Sequence, residues 1–275
     1  MRIALAQMQS GVDPRVNAAL LVDAIREAAQ GGAVMVFTPE MSGLLDRDRS
    51  RADASITSEK DDMVLSTVRQ AAAEFGIWVS LGSIALNGGS KGRRLNRSIL
   101  IDAEGDIRAR YDKIHLFDVD LSNGESWRES AAYASGSQAI VVNTPIGCLG
   151  LTVCYDLRFP ALYNALSAAG ASIFSIPAAF TVPTGRAHWH ILLRARAIEN
   201  AAWVVAAAQS GIHEDGRATY GHSLVVDPWG EVVLDMGDAI GVGFAEIDPV
   251  RTEKARSQIP VLQHRRAIED IKVLS

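Results

Sequence analysis

Gly150-Leu151-Thr152-Val153-Cys154-Tyr155-Asp156-Leu157-Arg158-Phe159-Pro160 is an apolar, strand-like run that ends at a thiol and turns into a helix. A side chain at such an elbow projects from the end of a sheet, where nucleophiles are often displayed. The chain has one other cysteine, Cys148, six residues earlier. The reading therefore turns on whether Cys154 has catalytic partners.

Working outward from this run, strand-like and helix-like segments alternate. Residues 2–8 read as a strand. Asp13-Pro14 offers an N-cap and a first-turn proline. Val16, Leu20 and Ala24, with Leu21, Ile25 and Ala28, form one apolar face at helical spacing. Ala33 to Phe37 is a short buried-strand run ending at Thr38-Pro39-Glu40. Ser58 is the expected cap of a second helix with Val64, Val68, Ala71 and Phe75 on its inner face, and Ile77 to Ala85 reads as a strand. Downstream of Cys154 the pattern predicts a helix over about Pro160 to Ala169 and a strand from Ser172 to Ile176. A helix over roughly Arg186 to Ala202 and strands near Val204–Gln209 and Gly241–Ile247 follow. Asp102-Ala103-Glu104-Gly105 and Asp227-Pro228-Trp229-Gly230 are similar turns, each flanked by Val/Ile/Leu runs, and they hint at an internal two-fold repeat. No low-complexity linker divides the chain, so residues 1–275 read as one α/β domain with helices on the outside. Residues 118–137 form the longest irregular stretch and a candidate active-site loop.

Composition narrows the function class. The 275 residues carry 27 Lys plus Arg and 32 Asp plus Glu, for a net charge of −5. That balance argues against nucleic acid as a partner. Two cysteines point to a reducing compartment rather than a disulfide scaffold. The N-terminal run is too short for a signal peptide, and no apolar stretch is long enough to span a membrane. A cytoplasmic protein with no membrane partner is expected.

A thiol with an ordinary pKa of about 8.5 needs a base or a nearby cation to attack at neutral pH. The six histidines are scattered, and none lies in a local cysteine-protease signature. Glu40 and Lys113 are the other candidates. Each follows a predicted strand, as Cys154 does, and groups at strand ends meet where ligands bind. Singly, each has a bland reading: a solvated charge for the two ions, a small core residue for the thiol. His188 and His190 stand two apart on a predicted helix and so point to different faces. No Cys/His group has zinc spacing and no phosphate loop is evident, so no metal or cofactor is expected.

Taken together, three segments resemble the nitrilase superfamily of carbon–nitrogen hydrolases: Phe37-Thr38-Pro39-Glu40, Tyr111-Asp112-Lys113-Ile114-His115-Leu116-Phe117 and the Cys154 run. Their order and separation agree with that family over nearly the whole chain. The resemblance implies a four-layer αββα sandwich and a Glu40-Lys113-Cys154 triad. In that triad Glu40 is the base, while Lys113 and the Tyr155 N–H stabilise the oxyanion. It also implies hydrolysis of a small linear amide to carboxylate plus ammonia through a thioester, and a homodimer or higher homo-oligomer. A second glutamate is common between the lysine and the cysteine. Glu129, seven residues before Gly136, fits its spacing better than Glu125 does.

Ala187-His188-Trp189, Arg194 to Glu199, Tyr220-Gly221-His222-Ser223 and Gln263-His264-Arg265-Arg266 place the chain nearest the Nit branch. That branch acts on amides of the deaminated-glutathione or α-ketoglutaramate kind. Tyr155-Asp156 after the cysteine, in place of Trp-Glu, argues for an amide over a nitrile. Arg158 is the nearest candidate for a carboxylate anchor, with an ion pair to a core or interface acid as its other reading, and Phe180 and His188 are further candidate substrate contacts. The branch often has glutamate where this chain has His190, and Pro-Gly where it has Ser135-Gly136. A catalytically silent binding protein and an acyl transferase are the competing readings of the same fold.

Overall fold

The computed structural model describes residues 1–120, 124, 126–268 and 271–274. Among the described residues sixteen strands run in chain order: β1 Arg2–Gln7, β2 Met35–Phe37, β3 Trp78–Asn87, β4 Arg94–Ile101, β5 Ile107–Asp112, β6 Asp118–Asp120, β7 Ser126–Arg128, β8 Ile140–Thr144, β9 Gly147–Leu151, β10 Ile173–Ser175, β11 Trp203–Ala206, β12 Ser210–Ile212, β13 Ala218–Tyr220, β14 Leu224–Val226, β15 Val232–Asp235 and β16 Gly241–Glu246. The α-helices are α1 Pro14–Gln30, α2 Arg49–Asp53, α3 Met63–Phe75, α4 Pro160–Ala168, α5 Val182–Asn200, α6 Pro249–Gln258 and α7 Val261–His264.

Twelve of these strands build two six-stranded sheets, ordered β16-β1-β2-β3-β4-β5 and β15-β14-β11-β10-β9-β8. In the first, β1, β2 and β3 are parallel, while β4, β5 and the edge strand β16 are antiparallel. In the second, β9, β10 and β11 are parallel, while β14, β15 and the edge strand β8 are antiparallel. Helices α1 and α3 connect the parallel strands of one sheet, and α4 and α5 those of the other. The two halves therefore share one connectivity. The paired turns seen in the sequence are its closing hairpins: Asp102 Oδ1 accepts from the N–H of Glu104 and Asp106, and Asp227 Oδ1 from those of Trp229 and Glu231.

The sheets stack face to face between helical layers. One core packs α1 and α3 on the outer face of the first sheet, through Leu21, Ile25, Val64 and Val68 against Ala4, Val36, Val79 and Ile99. The other joins inward Leu5, Phe37 and Leu100 to Leu151, Ile173 and Val205, and continues to Tyr163 of α4 and Trp189 of α5. This is the αββα sandwich.

Local chemistry sets the helix ends, with two departures from expectation. Asp13 caps α1 as read, accepting from Arg15 N at 2.9 Å. The buried stripe of α1, however, is Asn17, Ala18, Leu21, Ile25 and Ala28, while Val16 and Leu20 are exposed. Those two lie roughly 100° or more around the helix from Leu21 at 3.6 residues per turn. Asn17 takes an inward place because it bonds Gly11 N, Gly11 O and Gly43 O. Asp62, not Ser58, caps α3, accepting from Leu65 N at 2.7 Å. Ser58 instead donates to Asp61 in the preceding turn.

A bulge in β3 links the fold to the strand-end residues. Pairing with β4 slips between Leu81 and Ile84. There Gly82 N donates to Thr38 Oγ1, Ser42 N to Ser83 O and Met41 N to Ser83 Oγ, so the bulge grips the segment that carries Glu40. A Cβ on Gly82 would collide with the Thr38 and Pro39 carbonyl oxygens and lie 2.6 Å from Pro177 Cβ of the facing sheet. Gly82→Ala is expected to cost about 1–3 kcal/mol through overpacking, read as a lower urea midpoint. An unchanged midpoint would show that the two segments part freely.

Candidate active site

Glu40, Lys113 and Cys154 leave the ends of β2, β5 and β9, and the sandwich brings them to one place. Lys113 Nζ lies 2.9 Å from Glu40 Oε1 and 2.8 Å from Glu129 Oε2. The Cys154 thiol and the Glu40 carboxylate are near enough to shift one another's pKa. All three are buried, Lys113 with 2% of its surface exposed. The chain turns sharply at Cys154, whose φ of 50° is in the left-handed region that non-glycine residues rarely adopt. Its N–H is spent on Pro177 O at 2.8 Å, which pins the elbow. Among the described residues the next N–H, of Tyr155, has no backbone acceptor outside its own short turn.

Electrostatics assigns protons. Burial alone would raise the Glu40 pKa, but the Lys113 charge, the neighbouring Cys154 thiol and hydrogen bonds from Lys113 and Asn96 hold it below the carboxylate range. Burial opposes charge on Lys113, yet Glu129 and Glu40 lift it well above the ordinary amine value. Burial, then the Glu40 charge, pushes the Cys154 thiol far up, against the pull of Lys113. The resting set at neutral pH is a carboxylate, an ammonium and a neutral thiol.

Two supporting groups escaped the sequence reading. Asn96, mid-strand in β4, donates to Glu40 Oε1 at 3.0 Å and Glu129 Oε1 at 3.1 Å, tying both acids to one amide. Asp156 is wholly buried and accepts from Val153 N, His115 N and Tyr111 OH, with His115 Nδ1 at 2.7 Å. It couples the cysteine elbow to the segment carrying Lys113. Their only sequence signal was position, within a strand and two residues after the thiol. Ala179 N donates to Glu40 Oε2, and Gln209 Nε2 to Glu40 O.

Glu129 joins the set through Lys113 and is held also by Phe117 N at 2.6 Å. Its rival Glu125 lies outside the described residues. The 118–137 stretch contributes the β6–β7 hairpin and places Trp127, Arg128 and Glu129 on the wall of a cleft of about 440 Å³. Cys154, Tyr155, Arg158 and Phe180 line it too. Phe117 and Tyr155 meet edge-on at 5.0 Å. His188 is not on that wall; its Nδ1 stands 3.2 Å from Arg158 Nη1. His190 also lies away from the cleft, 3.0 Å from Asp235. Its departure from the Nit pattern therefore leaves the cleft lining unchanged. Arg47, Arg49 and Arg158 line the cleft without a carboxylate partner among the described residues.

A carbon–nitrogen hydrolase family model matches residues 2–257. The chain belongs to that family. It is 42% identical to the deaminated glutathione amidase of Yersinia enterocolitica over 98% of this chain and 94% of that one. The crystal structure of the Caenorhabditis elegans nitrilase and fragile histidine triad fusion protein NitFhit superposes with a TM-score of 0.89 at 40% identity. That match covers 96% of this chain and 65% of the other. An amidase mutant from Nesterenkonia sp. AN1, matched at TM-score 0.80 and 30% identity, covers 97% of this chain and 94% of its own. That structure carries the acetamide moiety of fluoroacetamide covalently added at its active-site cysteine. The present carbon–nitrogen hydrolase is thus an amide-hydrolysing enzyme of the nitrilase superfamily. Among the described residues no helix is long and apolar enough to cross a membrane.

Proposed function

We propose that this amidase cleaves deaminated glutathione, with Cys154 as nucleophile, Glu40 as general base and Lys113 as electrophilic support. The observation that carries the reading is the meeting of Glu40, Lys113 and Cys154 in a cleft that is also lined by guanidiniums with no carboxylate partner among the described residues. Deaminated glutathione has a carboxylate at each end, and Arg47, Arg49 and Arg158 supply planar donors suited to carboxylates. Phe180 and Tyr155 flank the Arg158 guanidinium at 5.5 and 5.9 Å and fix its plane. His188 supports Arg158 from behind. A cleft of about 440 Å³ also has room for more than a short monoamide.

In the proposed cycle Glu40 takes the thiol proton as sulfur attacks the amide carbon. Lys113 and the Tyr155 N–H receive the oxyanion. Glu40 then passes the proton to the departing amine. Water, deprotonated by Glu40, attacks the thioester and releases the acid and the thiol. Glu129, through Lys113 and Asn96, holds the ammonium in place.

Substrate chemistry alters one expectation. The scissile amide of deaminated glutathione joins a 2-oxoglutaryl unit to cysteine, so its hydrolysis yields cysteinylglycine. Ammonia is the product only from a primary amide such as α-ketoglutaramate. The test is a panel of deaminated glutathione, α-ketoglutaramate, short monoamides and a nitrile, reading free amine and ammonia separately beside Cys154→Ala. Cys154-dependent release of cysteinylglycine, at least tenfold more efficient than any ammonia release, is expected. Preference for α-ketoglutaramate would move the enzyme to ω-amidase chemistry. Transfer of the acyl group to added amines in preference to water would make it a transferase.

The reading includes a single domain over 1–275 and a cytoplasmic homodimer. Exposed Ile191 and Ile198 of α5, with exposed Trp229 of the β14–β15 turn, support a self-association face. Sedimentation at micromolar concentration tests it, and a monomer would remove that part.

A further inference from the structure

The sequence offers no metal motif, yet three distant segments bring ligands together outside the cleft. His190 lies on α5, His222 follows β13 and Asp235 ends β15. His190 Nε2 is 3.0 Å from Asp235 Oδ2, and His222 Nδ1 is 2.9 Å from Asp235 Oδ1. One donor atom from each of the three residues falls within 4.8 Å of the others. We propose that His190, His222 and Asp235 form a binding site for a divalent transition-metal ion of the imidazole-preferring class, with zinc as its representative.

The donor set suits that class. Two imidazoles, which are borderline ligands, outnumber the one hard carboxylate and favour zinc, cobalt or nickel over the hard cations calcium and magnesium. Around a tetrahedral zinc, donors about 2.0–2.1 Å from the metal stand ~3.3 Å apart. The His–Asp separations here are a few tenths of an ångström shorter, so a modest spreading of the three side chains admits an ion. The imidazoles are partly exposed, which leaves an entry path and a position for water.

The backbone also holds the ligands in place. His222 has φ 56°, a strained conformation for a non-glycine residue. It persists because His222 N donates to Gly237 O at 2.6 Å and Trp189 Nε1 donates to His222 O at 2.8 Å. The His222 ring stacks on Tyr220 at 4.4 Å with an interplanar angle of 22°. The His190 ring meets it edge-on at 5.1 Å. Asp235 Oδ1 accepts from Gly237 N at 2.9 Å, which fixes the carboxylate. A bound ion would join α5 to the β14–β15 hairpin and the loop after β13, and so stabilise the fold rather than take part in amide cleavage.

The experiment uses full-length Cys154→Ala protein, so that the active-site thiol cannot bind metal, treated with chelator and titrated with ZnCl₂ at pH 7.5. Calorimetry should show one zinc per chain, with affinity at least tenfold above that of His190→Ala, Asp235→Asn and His222→Asn in the same background. Asparagine tolerates the left-handed backbone, so the last variant removes the imidazole without forcing a refold. Zinc should raise the melting temperature of the unsubstituted site in proportion to log concentration and leave the variants unmoved. Amidase turnover of the same three variants with Cys154 restored should stay within about twofold of wild type. Equal zinc affinity in all four proteins, or no binding by any, would reduce the cluster to a hydrogen-bonded His-Asp-His clasp and overturn the proposal.

Discussion

Glu40→Gln is expected to lower kcat by roughly 10³-fold or more while making Cys154 easier to alkylate. Loss of a general base alone removes roughly 10²- to 10⁴-fold, and Glu40 is proposed to act in both half-reactions. The amide also disturbs the local donors. Glu40 Oε1 accepts from Lys113 and Asn96, and Oε2 from Ala179 N. Glutamine has one oxygen for these two sets, so its NH₂ must face a donor in either orientation.

The thiol responds in the opposite direction. The Glu40 charge is, after burial, the main cause of the raised Cys154 pKa, while Lys113 lowers it. Removing the carboxylate leaves the ammonium unopposed at that distance, so the thiolate fraction at a given pH rises. The measurement is the pH dependence of iodoacetamide labelling, followed on the Cys154 peptide so that Cys148 does not contribute. Its midpoint should fall below that of wild type. The acid limb of wild-type kcat/KM should lie below the ordinary glutamate value of 4.5, because Glu40 must be ionised and its pKa is held down. That limb should vanish in the variant. A labelling midpoint that stays or rises would mean that Glu40 does not set the state of the thiol, and the base would have to be sought elsewhere.

That Glu40, Lys113 and Cys154 meet was legible in part: each follows a run of strand residues, and strand ends converge in an α/β sandwich, but the three motifs taken together were what singled these residues out. Asn96 was not legible, because a polar residue within the alternating strand Leu95-Asn96-Arg97 reads as an outward position. Only the three-dimensional placement of Glu40 and Glu129 gives it inward partners. The histidine–aspartate cluster was hidden for the same reason, since its members are 32 and 13 residues apart and lie on a helix, a loop and a strand. The two-fold repeat shows a further limit. Two similar turns hinted at it, but only the strand pairings demonstrate it, since paired halves can share connectivity with little shared sequence. On α1 the error was one of phase: Val16 and Leu20 satisfied the helical spacing with each other but not with the buried stripe, and buried Asn17 disguised the true face.

Asp156→Asn should combine the largest loss of stability with a loss of turnover. The carboxylate is fully buried, and its two oxygens divide the work. Oδ1 serves His115 N and faces His115 Nδ1, while Oδ2 serves Val153 N and Tyr111 OH. The Tyr111 hydroxyl can turn to accept, and the His115 ring can change tautomer, so neither defeats an asparagine. The backbone N–H groups cannot adapt. Whichever side receives the NH₂, one of Val153 N or His115 N is left buried without an acceptor. An unsatisfied buried donor costs about 1–3 kcal/mol, and the weaker remaining bonds add to it. A total near 3 kcal/mol is expected, or a fall in melting temperature of roughly 6–12 °C for a chain of this size.

Turnover should fall because Val153 precedes the nucleophile and His115 lies two residues past Lys113, so the same loss loosens both against each other. Misplacement by about 1 Å is worth roughly 10²-fold in rate. Tyr111→Phe removes one donor and leaves both backbone bonds, so it should cost about 1 kcal/mol and little rate. If Asp156→Asn lowered stability but left kcat and the labelling midpoint of Cys154 at wild-type values, Asp156 would be a fold residue alone. If both moved while Tyr111→Phe stayed near wild type, the two backbone hydrogen bonds would be what aligns the thiol with its ammonium.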